Sequence, residues 1–158
     1  TILLRQGRTS NDSYLILKGC LRVYYLINNE EKTTAFYTEF DGLTPNCVIF
    51  KEPSEYFISC VEDSIITVIN NDTCDEIFSK FPKFETFCRI LSEEMLAKQQ
   101  INLDSFKILS PEKRYLELLE KKPELIQRIP QNQLASYLGI TAQSFSRLKT
   151  RMLEKNKS

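Results

Sequence analysis

The chain has 158 residues, with 21 basic and 21 acidic side chains and therefore no formal net charge. This length allows one medium-sized domain with a small appendage, and no apolar run reaches the roughly 18 residues that a membrane span requires. Histidine is absent and no Cys-x-x-Cys pair occurs, which argues against the usual zinc and haem ligand sets.

The cysteines are odd in number and dispersed: Cys20, Cys47, Cys60, Cys74 and Cys88. A disulfide framework needs paired thiols, and an iron–sulfur cluster needs closely grouped ones. The pattern favours reduced, buried thiols in a cytoplasmic protein. The segment 1–7 is too short and too charged for a secretory signal, and it opens inside a strand-like segment. We therefore expect that residues are missing upstream.

The first half of the chain is typical of short strands. Five segments are rich in β-branched and aromatic residues or alternate in polarity: 14–17, 21–27, 32–40, 56–61 and 64–69. Asn28-Asn29 is a turn pair, and Glu62-Asp63 alone separates the last two segments, which predicts a hairpin there. Closely spaced short strands predict a small antiparallel β-barrel or jelly roll, which can hold a ligand or be filled by its own side chains.

Two helical segments follow the strands. Residues 72–80 predict a short helix that ends near Pro82. A second helix is predicted from Phe84 to about Ile108, and its roughly 25 residues would span ~37 Å. Four of its apolar residues recur at i, i+4, i+7 and i+11: Phe84, Cys88, Leu91 and Met95. The helix could be a core helix of a single chain, but self-pairing in a homodimer accounts better for its apolar stripe.

A new unit is predicted to begin after the boundary between Leu109 and Ser110, because Ser110 and Pro111 supply a cap and a helix-initiating proline. Within it, the apolar spacing of Leu134, Ala135 and Leu138 predicts a helix from about Pro130 to Leu138. Gly139 can take the left-handed conformation that ends such a helix. Thr141 can then cap the next one.

The last predicted helix has two distinct faces. Phe145, Leu148 and Met152 recur at i, i+3 and i+7 and form a stripe for burial. The opposite face is polar and basic: Gln143, Ser146, Arg147 and Thr150, with Lys149 and Arg151 beside it. Proteins use this layout to place a helix in the major groove of DNA, although a packed helical hairpin without any DNA role has the same apolar pattern.

The distribution of charge favours the DNA interpretation. Up to Phe106 there are 10 basic residues against 16 acidic ones, a net charge of −6. From Lys107 onward there are 11 against 5, a net charge of +6. Such asymmetry between halves indicates nucleic-acid binding by the basic part, because attraction to phosphates supplies much of the affinity.

Taken in order, several motifs resemble the cyclic-AMP receptor protein and fumarate–nitrate reductase regulator (CRP/FNR) family. They are Leu-Ile-Leu-Lys-Gly at 15–19, the long helix, Arg114-Tyr115 with Leu118-Leu119, Pro123-Glu-Leu125 and the segment 128–141. The resemblance covers nearly the whole chain, is most specific over 114–151 and is loosest over 40–55. The family's first helix and opening strand have no counterpart here, in line with missing upstream residues.

The resemblance implies an α+β fold with three parts. They are an amino-terminal antiparallel β-barrel or jelly roll of the cyclic-nucleotide-binding type at 1–81, a long dimerisation helix at 82–109, and a carboxyl-terminal winged helix-turn-helix at 110–158. It implies a homodimeric bacterial transcription regulator that binds double-stranded DNA in the cytoplasm. Activation would also need a surface for RNA polymerase, and no residue pattern locates one.

One departure from the family bears on the ligand. Members that bind cyclic nucleotides carry a Gly-Glu pair for the ribose and an Arg-Ser or Arg-Thr for the phosphate. The corresponding segment 40–55 has no Gly-Glu pair and offers Pro53-Ser54-Glu55 in place of Arg-Ser. Without an arginine the phosphate loses its bidentate partner, Glu52 and Glu55 would repel it, and Lys51 is the nearby cation. We expect no cyclic-nucleotide cofactor: the barrel either senses another small molecule or has lost ligand control.

The resemblance also implies which residues contact DNA. Positions that reach base edges in the family correspond to Ala142, Gln143 and Arg147, where arginine suits guanine, glutamine suits adenine and alanine can offer a methyl contact. Residues expected near phosphates or at the helix starts are Gln131, Asn132, Thr141, Ser144, Ser146, Lys149, Thr150 and Arg151. Relatives that carry Arg-Glu at the first two positions read a different site, so the operator sequence stays open.

The sequence bears on two other classes of function. A ligand sensor or interaction module that does not bind DNA specifically could use the basic end as a docking surface. An enzyme is disfavoured because the chain has no histidine to act as general base and no glycine-rich phosphate loop. Its carboxylates form no convincing catalytic pair by spacing.

Overall fold

A computed structural model describes residues 1–155, without the side chains of residues 75, 153 and 155. The first part contains β1 (Ile2–Leu4), β2 (Asp12–Lys18), β3 (Leu21–Ile27), β4 (Glu30–Tyr37), β5 (Gly42–Leu43), α1 (Asn46–Phe50), β6 (Phe57–Cys60) and β7 (Ile65–Asn70). After a 3-10 turn at Asn71–Thr73 come α2 (Cys74–Lys80), α3 (Pro82–Ile108), α4 (Pro111–Lys121), α5 (Pro123–Arg128), α6 (Gln131–Tyr137) and α7 (Ala142–Lys155). The predicted α+β class is confirmed.

The strands form two antiparallel sheets. One has four strands in the order β1-β6-β3-β4, and the other has three in the order β5-β2-β7. Apolar side chains of both sheets meet in one core together with Cys47 and Val48 of α1 and Tyr56 before β6: Leu4, Tyr14, Ile16, Leu21, Val23, Leu43 and Ile58 come from the strands. The described strands do not close into a barrel, so the barrel alternative is corrected to two facing sheets.

The turn predicted at Asn28-Asn29 and the hairpin predicted between 56–61 and 64–69 have different outcomes. β3 and β4 do pair across Asn28 and Asn29, whose φ angles of 53° and 63° are those of a tight hairpin turn. The hairpin predicted between 56–61 and 64–69 is wrong, because β6 pairs with β1 and β3 whereas β7 pairs with β2 in the other sheet. The connection crosses between the sheets and is held by long-range contacts, among them the Val61 N–H bond to the Cys20 carbonyl at 2.8 Å.

The long helix forms as predicted. α3 has 27 residues, about 40 Å of helix, and none of its described residues is buried. It packs against β5, where a Cβ built on Gly42 would lie 3.4 Å from Sδ of Met95 and 3.9 Å from Cδ2 of Leu91. α3 ends at Ile108, and Ser110 caps α4 as predicted by accepting the N–H of Lys113 at 3.3 Å.

The carboxyl-terminal helices share a second core with the sheet. Its buried members are Cys20, Tyr115, Leu125, Ile129, Leu134, Ala135, Leu138, Phe145 and Leu148, with Phe36 and Val61 of the strand region packed against them. The helices are therefore docked on the four-stranded sheet, not connected to it by a linker alone. Every regular element described after β7, over residues 71–155, is helical, so the predicted wing has no counterpart among the described residues.

All five cysteines are free thiols; Cys20 and Cys47 are buried and the other three are half-buried. Burial raises the pKa of the Cys20 thiol to about 12, so it stays protonated. Within residues 1–155 no group of acidic and cysteine side chains is arranged to hold a metal ion. No helix in that range has the length and apolar character needed to cross a bilayer.

Candidate nucleic-acid interface

The helix pair α6–α7 is joined by a glycine turn that closes the first helix. Gly139 has a φ of 74°, and the N–H of Ile140 bonds back to the Ala135 carbonyl at 3.0 Å. These are the features of a helix end that is stopped by a left-handed glycine. Thr141 then accepts the N–H of Ser144 at 3.2 Å, the capping role predicted from the sequence.

The inner face of α7 is fixed by aromatic and aliphatic packing. Phe145 is 1% exposed, and its ring meets Tyr115 of α4 edge to face with centroids 5.0 Å apart. Leu148 is buried and Met152 half-buried on the same stripe, as predicted. Because this face is held from beneath, the opposite face of α7 is presented to solvent in a fixed orientation.

The outer face of α7 is polar and open. Five side chains line one shallow surface: Ser144, Ser146, Arg147, Thr150 and Arg151. Arg147 is exposed and donates from Nη2 to Oγ of Ser144 at 3.2 Å, while Thr150 donates to the Ser146 carbonyl at 3.2 Å. Arg147 and Arg151 are both exposed, so their guanidinium groups can reach an anion or a base edge.

The remaining predicted contact residues lie around this surface. Ala142 and Gln143 are exposed at the start of α7, and Gln131 and Asn132 are exposed at the start of α6. Lys149 is half-buried, with its ammonium 5.7 Å from the ring centroid of Phe145 at the margin of the polar face.

α6 is docked on the edge strand of the four-stranded sheet. Oγ of Ser136 accepts the N–H of Thr33 at 2.9 Å and donates to the carbonyl of Glu31 at 3.1 Å. One hydroxyl therefore satisfies a donor and an acceptor on the open edge of β4, where a further strand would otherwise pair. Next to it, the rings of Phe36 and Tyr137 meet edge to face at 5.3 Å.

Arg128 is the second point of docking, and it is not available for DNA. Its guanidinium bonds to both oxygens of Glu39, at 2.8 and 3.0 Å, and to Oε1 of Glu62. The hydrogen bonds from Arg128 and from the Gly19 N–H lower the pKa of Glu39 to about 2. Both carboxylates raise the pKa of Arg128. Arg128 belongs to the segment that most resembles a DNA-binding motif, yet its charge is paired with two carboxylates of its own chain.

The side of α3 that carries Phe84, Cys88, Leu91 and Met95 faces the chain itself. Phe84 lies against Phe78 of α2 with ring centroids 6.1 Å apart, and Gln99 on the same side donates to the hydroxyl of Tyr37 at 3.1 Å. A different side of α3 is apolar and exposed: Phe87, Ile90, Ile101 and Ile108. These residues recur at i, i+3, i+14 and i+21, positions of a heptad seam that Glu94, Ala97 and Asp104 interrupt.

The segment 40–55 is folded, and several of its polar side chains have partners within the chain. Ser54 is buried and donates to the carbonyl of Tyr56, and the Tyr56 hydroxyl accepts the N–H of Asn46 at 2.9 Å. Lys51 is exposed, with Nζ donating to Oδ1 of Asn11 at 3.1 Å. The side chains that replace the family's Arg-Ser are therefore occupied within the chain or turned to solvent.

Comparison with known proteins identifies the fold. No family model matches the chain, and no curated protein is significantly similar to it in sequence. In three dimensions the chain has the fold of the CRP/FNR regulators of transcription, which confirms the resemblance at that level.

Three solved structures illustrate the match. FixK2 from Bradyrhizobium japonicum is 14% identical, with 99% of this chain and 81% of that chain covered and a TM-score of 0.75. A CRP-family transcriptional regulator from Thermus thermophilus is 13% identical, with 99% and 82% covered and a TM-score of 0.76. The c-di-GMP-responsive global regulator CLP of Xanthomonas campestris is 15% identical, with 99% and 84% covered and a TM-score of 0.75.

The sequence carries no local signal of a docking role for four residues that hold the helices on the sheet: Glu39, Glu62, Arg128 and Ser136. Each acts through a partner that is distant in the chain, in the case of Arg128 and Glu39 by 89 positions. Spacing rules detect neighbours on one helix or strand, so no local pattern could have marked these residues.

Proposed function

We propose that the chain is a homodimeric transcription regulator that reads a palindromic DNA site with α7 as its recognition helix. The observation that carries the proposal is the two-sided build of α7. Its inner face is locked by Phe145 and Leu148, and its outer face presents Gln143, Ser146 and Arg147 to solvent. A helix whose inner face is fixed by packing and whose outer face is polar suits base readout in the major groove.

In this proposal the contacts divide into two kinds. Arg147 and Gln143 read base edges, with Ala142 making an apolar contact, because their side chains are exposed near the start of α7. Thr141, Ser144, Ser146, Lys149, Thr150 and Arg151 hold phosphates or set the register, together with Gln131 and Asn132 at the start of α6. In this proposal the sensor-like part is 1–81, the dimerising part is 82–109 and the DNA-binding part is 110–158.

The homodimer would form through α3. Leu91 and Met95 lie beside Gly42 of their own chain, within 4 Å of the position that a Cβ would take there. We therefore place the seam on the exposed side with Phe87, Ile90 and Ile101, while Phe84 and Cys88 lie at the contact with α2. Burying such a stripe against a second copy removes apolar surface from water on both chains.

We further propose that cyclic AMP does not control the protein. The space between the sheets holds the chain's own side chains, including Tyr14, Ile16 and Tyr56, and segment 40–55 supplies no arginine for a phosphate. The protein would act in the bacterial cytoplasm. Any contact with RNA polymerase would use a surface outside α7.

The experiment is selection of duplexes from a random library by the full chain, followed by fluorescence anisotropy on the selected site and on an unselected duplex at several salt concentrations. We expect a palindrome whose half-site centres are about 34–36 Å apart. We expect the selected duplex to bind at least about 1,000-fold more tightly than the unselected one. The alternative, a sensor or interaction module, predicts no binding of random duplex even at low salt and no enriched motif.

A further inference from the structure

Arg114 lies where three elements meet: the end of α3, the first turns of α4 and the turn between α6 and α7. Its Nη1 donates to the carbonyls of Phe106 and Leu109, both at 2.9 Å. Its Nη2 donates to the carbonyl of Leu138 at 2.5 Å. One guanidinium thus binds backbone oxygens from two separate helix ends.

These carbonyls are ones that a helix leaves without internal partners. The last carbonyls of an α-helix lack an N–H from the next turn and carry the negative end of the helix dipole. A planar cation placed between two such ends satisfies both and is attracted by both.

The aromatic ring of Phe106 completes the junction. The guanidinium carbon of Arg114 lies 4.3 Å from its ring centroid. A Cβ built on Gly139 would lie 3.6 Å from Cε2 of Phe106 and 3.6 Å from Nη2 of Arg114. The last turn of α3, Arg114 and the glycine turn are therefore packed as one unit.

This junction connects the helix proposed for dimerisation to the helix proposed for DNA reading. α3 ends at Ile108, and the turn held by Arg114 leads directly into α7. We propose that Arg114 is a positioning residue that fixes the separation of the two recognition helices and so sets the half-site spacing that the dimer accepts. The inference rests on the proposed function, since it requires a dimer that reads two half-sites.

We expect that a lysine at position 114 cannot hold the junction as Arg114 does. A lysine ammonium carries the same charge but lacks the planar fork that reaches carbonyls in two directions and stacks on a ring. Arg114→Lys therefore keeps the charge that attracts phosphates and loosens only the junction.

The test measures affinity of the full chain and of its Arg114→Lys variant for three duplexes. They are a single half-site, the selected palindrome, and that palindrome with two base pairs inserted at its centre, which moves one half-site by about 7 Å and about 70°. We expect the parent to lose about tenfold or more on insertion, because the second contact of a linked pair no longer forms. The variant should lose less than about threefold and bind the single half-site within about threefold of the parent.

Two further variants keep the result interpretable. Lys113→Met removes a charge from the exposed neighbouring position on α4 and should weaken all three duplexes equally, with spacing discrimination unchanged. Phe106→Leu removes the ring under the guanidinium and should cause the same loss of spacing discrimination. It replaces Arg114→Lys in the test if that variant does not fold. The inference is overturned if the folded variants discriminate spacing as the parent does, or if they lose single-half-site affinity as strongly as palindrome affinity. If the parent itself does not prefer the half-site to random duplex, the proposed function fails, and the inference falls with it.

Discussion

Arg128 and Glu39 form a bidentate ion pair between the end of α5 and the turn after β4, with N–O distances of 2.8 and 3.0 Å. The pair is part of the docking of the carboxyl-terminal helices on the four-stranded sheet, and Glu62 completes it. Since both partners are only partly exposed, the pair is less screened by water than a surface salt bridge.

The first prediction concerns the pH dependence of this ion pair. The pKa of Glu39 is about 2 in the folded chain against an ordinary value of 4.5. Its stabilisation is therefore fully present above pH 4.5 and is lost as the pH falls towards 2. Glu39→Gln should lower the free energy of unfolding by about 1 kcal/mol at pH 7, after allowance for solvent screening. Urea unfolding at pH 7 and pH 3 should show this difference shrinking by about half or more.

The control for that measurement is Glu30→Gln, which breaks an exposed ion pair with Lys32 on the β3–β4 hairpin. It should leave stability nearly unchanged at both pH values, because exposed pairs contribute little. An equal effect of Glu39→Gln at pH 7 and pH 3 would show that the carboxylate charge does not stabilise the docked state.

The second prediction concerns the edge of β4. Ser136→Ala removes the hydroxyl that pairs with Thr33 and Glu31, and it leaves a strand-edge donor and acceptor without that partner. The free energy of unfolding should fall by about 1–2 kcal/mol. Ser146→Ala, on the exposed face of α7, is the matched control and should change it by less than about 0.5 kcal/mol. Comparable losses for both serines would contradict the docking role.

The third prediction locates the dimer seam. Ile101 is 61% exposed on the heptad side of α3, and Leu96 is 73% exposed on another side. Ile101→Glu should convert the dimer to monomer in light scattering, because it removes an apolar contact and adds a like charge from each chain to a seam that already carries Glu94 and Asp104. Leu96→Glu should remain a dimer. If the parent chain is monomeric at all concentrations, or if only Leu96→Glu dissociates the dimer, the proposed seam is incorrect.

The fourth prediction concerns the ligand. Calorimetric titration with cyclic AMP and with cyclic GMP should give no heat of specific binding at micromolar concentrations, because the segment 40–55 offers no arginine to the phosphate. Micromolar binding of either nucleotide would overturn this part of the account.

Local patterns predicted the elements better than their assembly. The Asn28-Asn29 turn, the α3 helix, the Ser110 cap and the Gly139 turn depend on residues that are neighbours in the chain, and each forms as expected. The pairing of β6 and β7 depends on long-range register, so the two-residue separation of these segments predicts a hairpin that does not form.

The same limit applies to α3. Its sequence holds two apolar stripes, one through Leu91 and Met95 and one through Ile90 and Ile101. Periodicity shows that both stripes exist, but only tertiary contacts decide which of them packs on the sheet of the same chain. The polar face of α7 was predictable for the opposite reason, since it is defined by residues of α7 alone.

The most direct test of the central claim compares the parent chain with Arg147→Ala on the selected palindrome and on a set of its single-base variants. Arg147→Ala should weaken binding to the preferred site by about 1–3 kcal/mol and remove preference at one base pair of each half-site. Lys149→Ala should instead weaken all sequences similarly and flatten the salt dependence. If Arg147→Ala binds every duplex as the parent does, α7 is not the recognition helix.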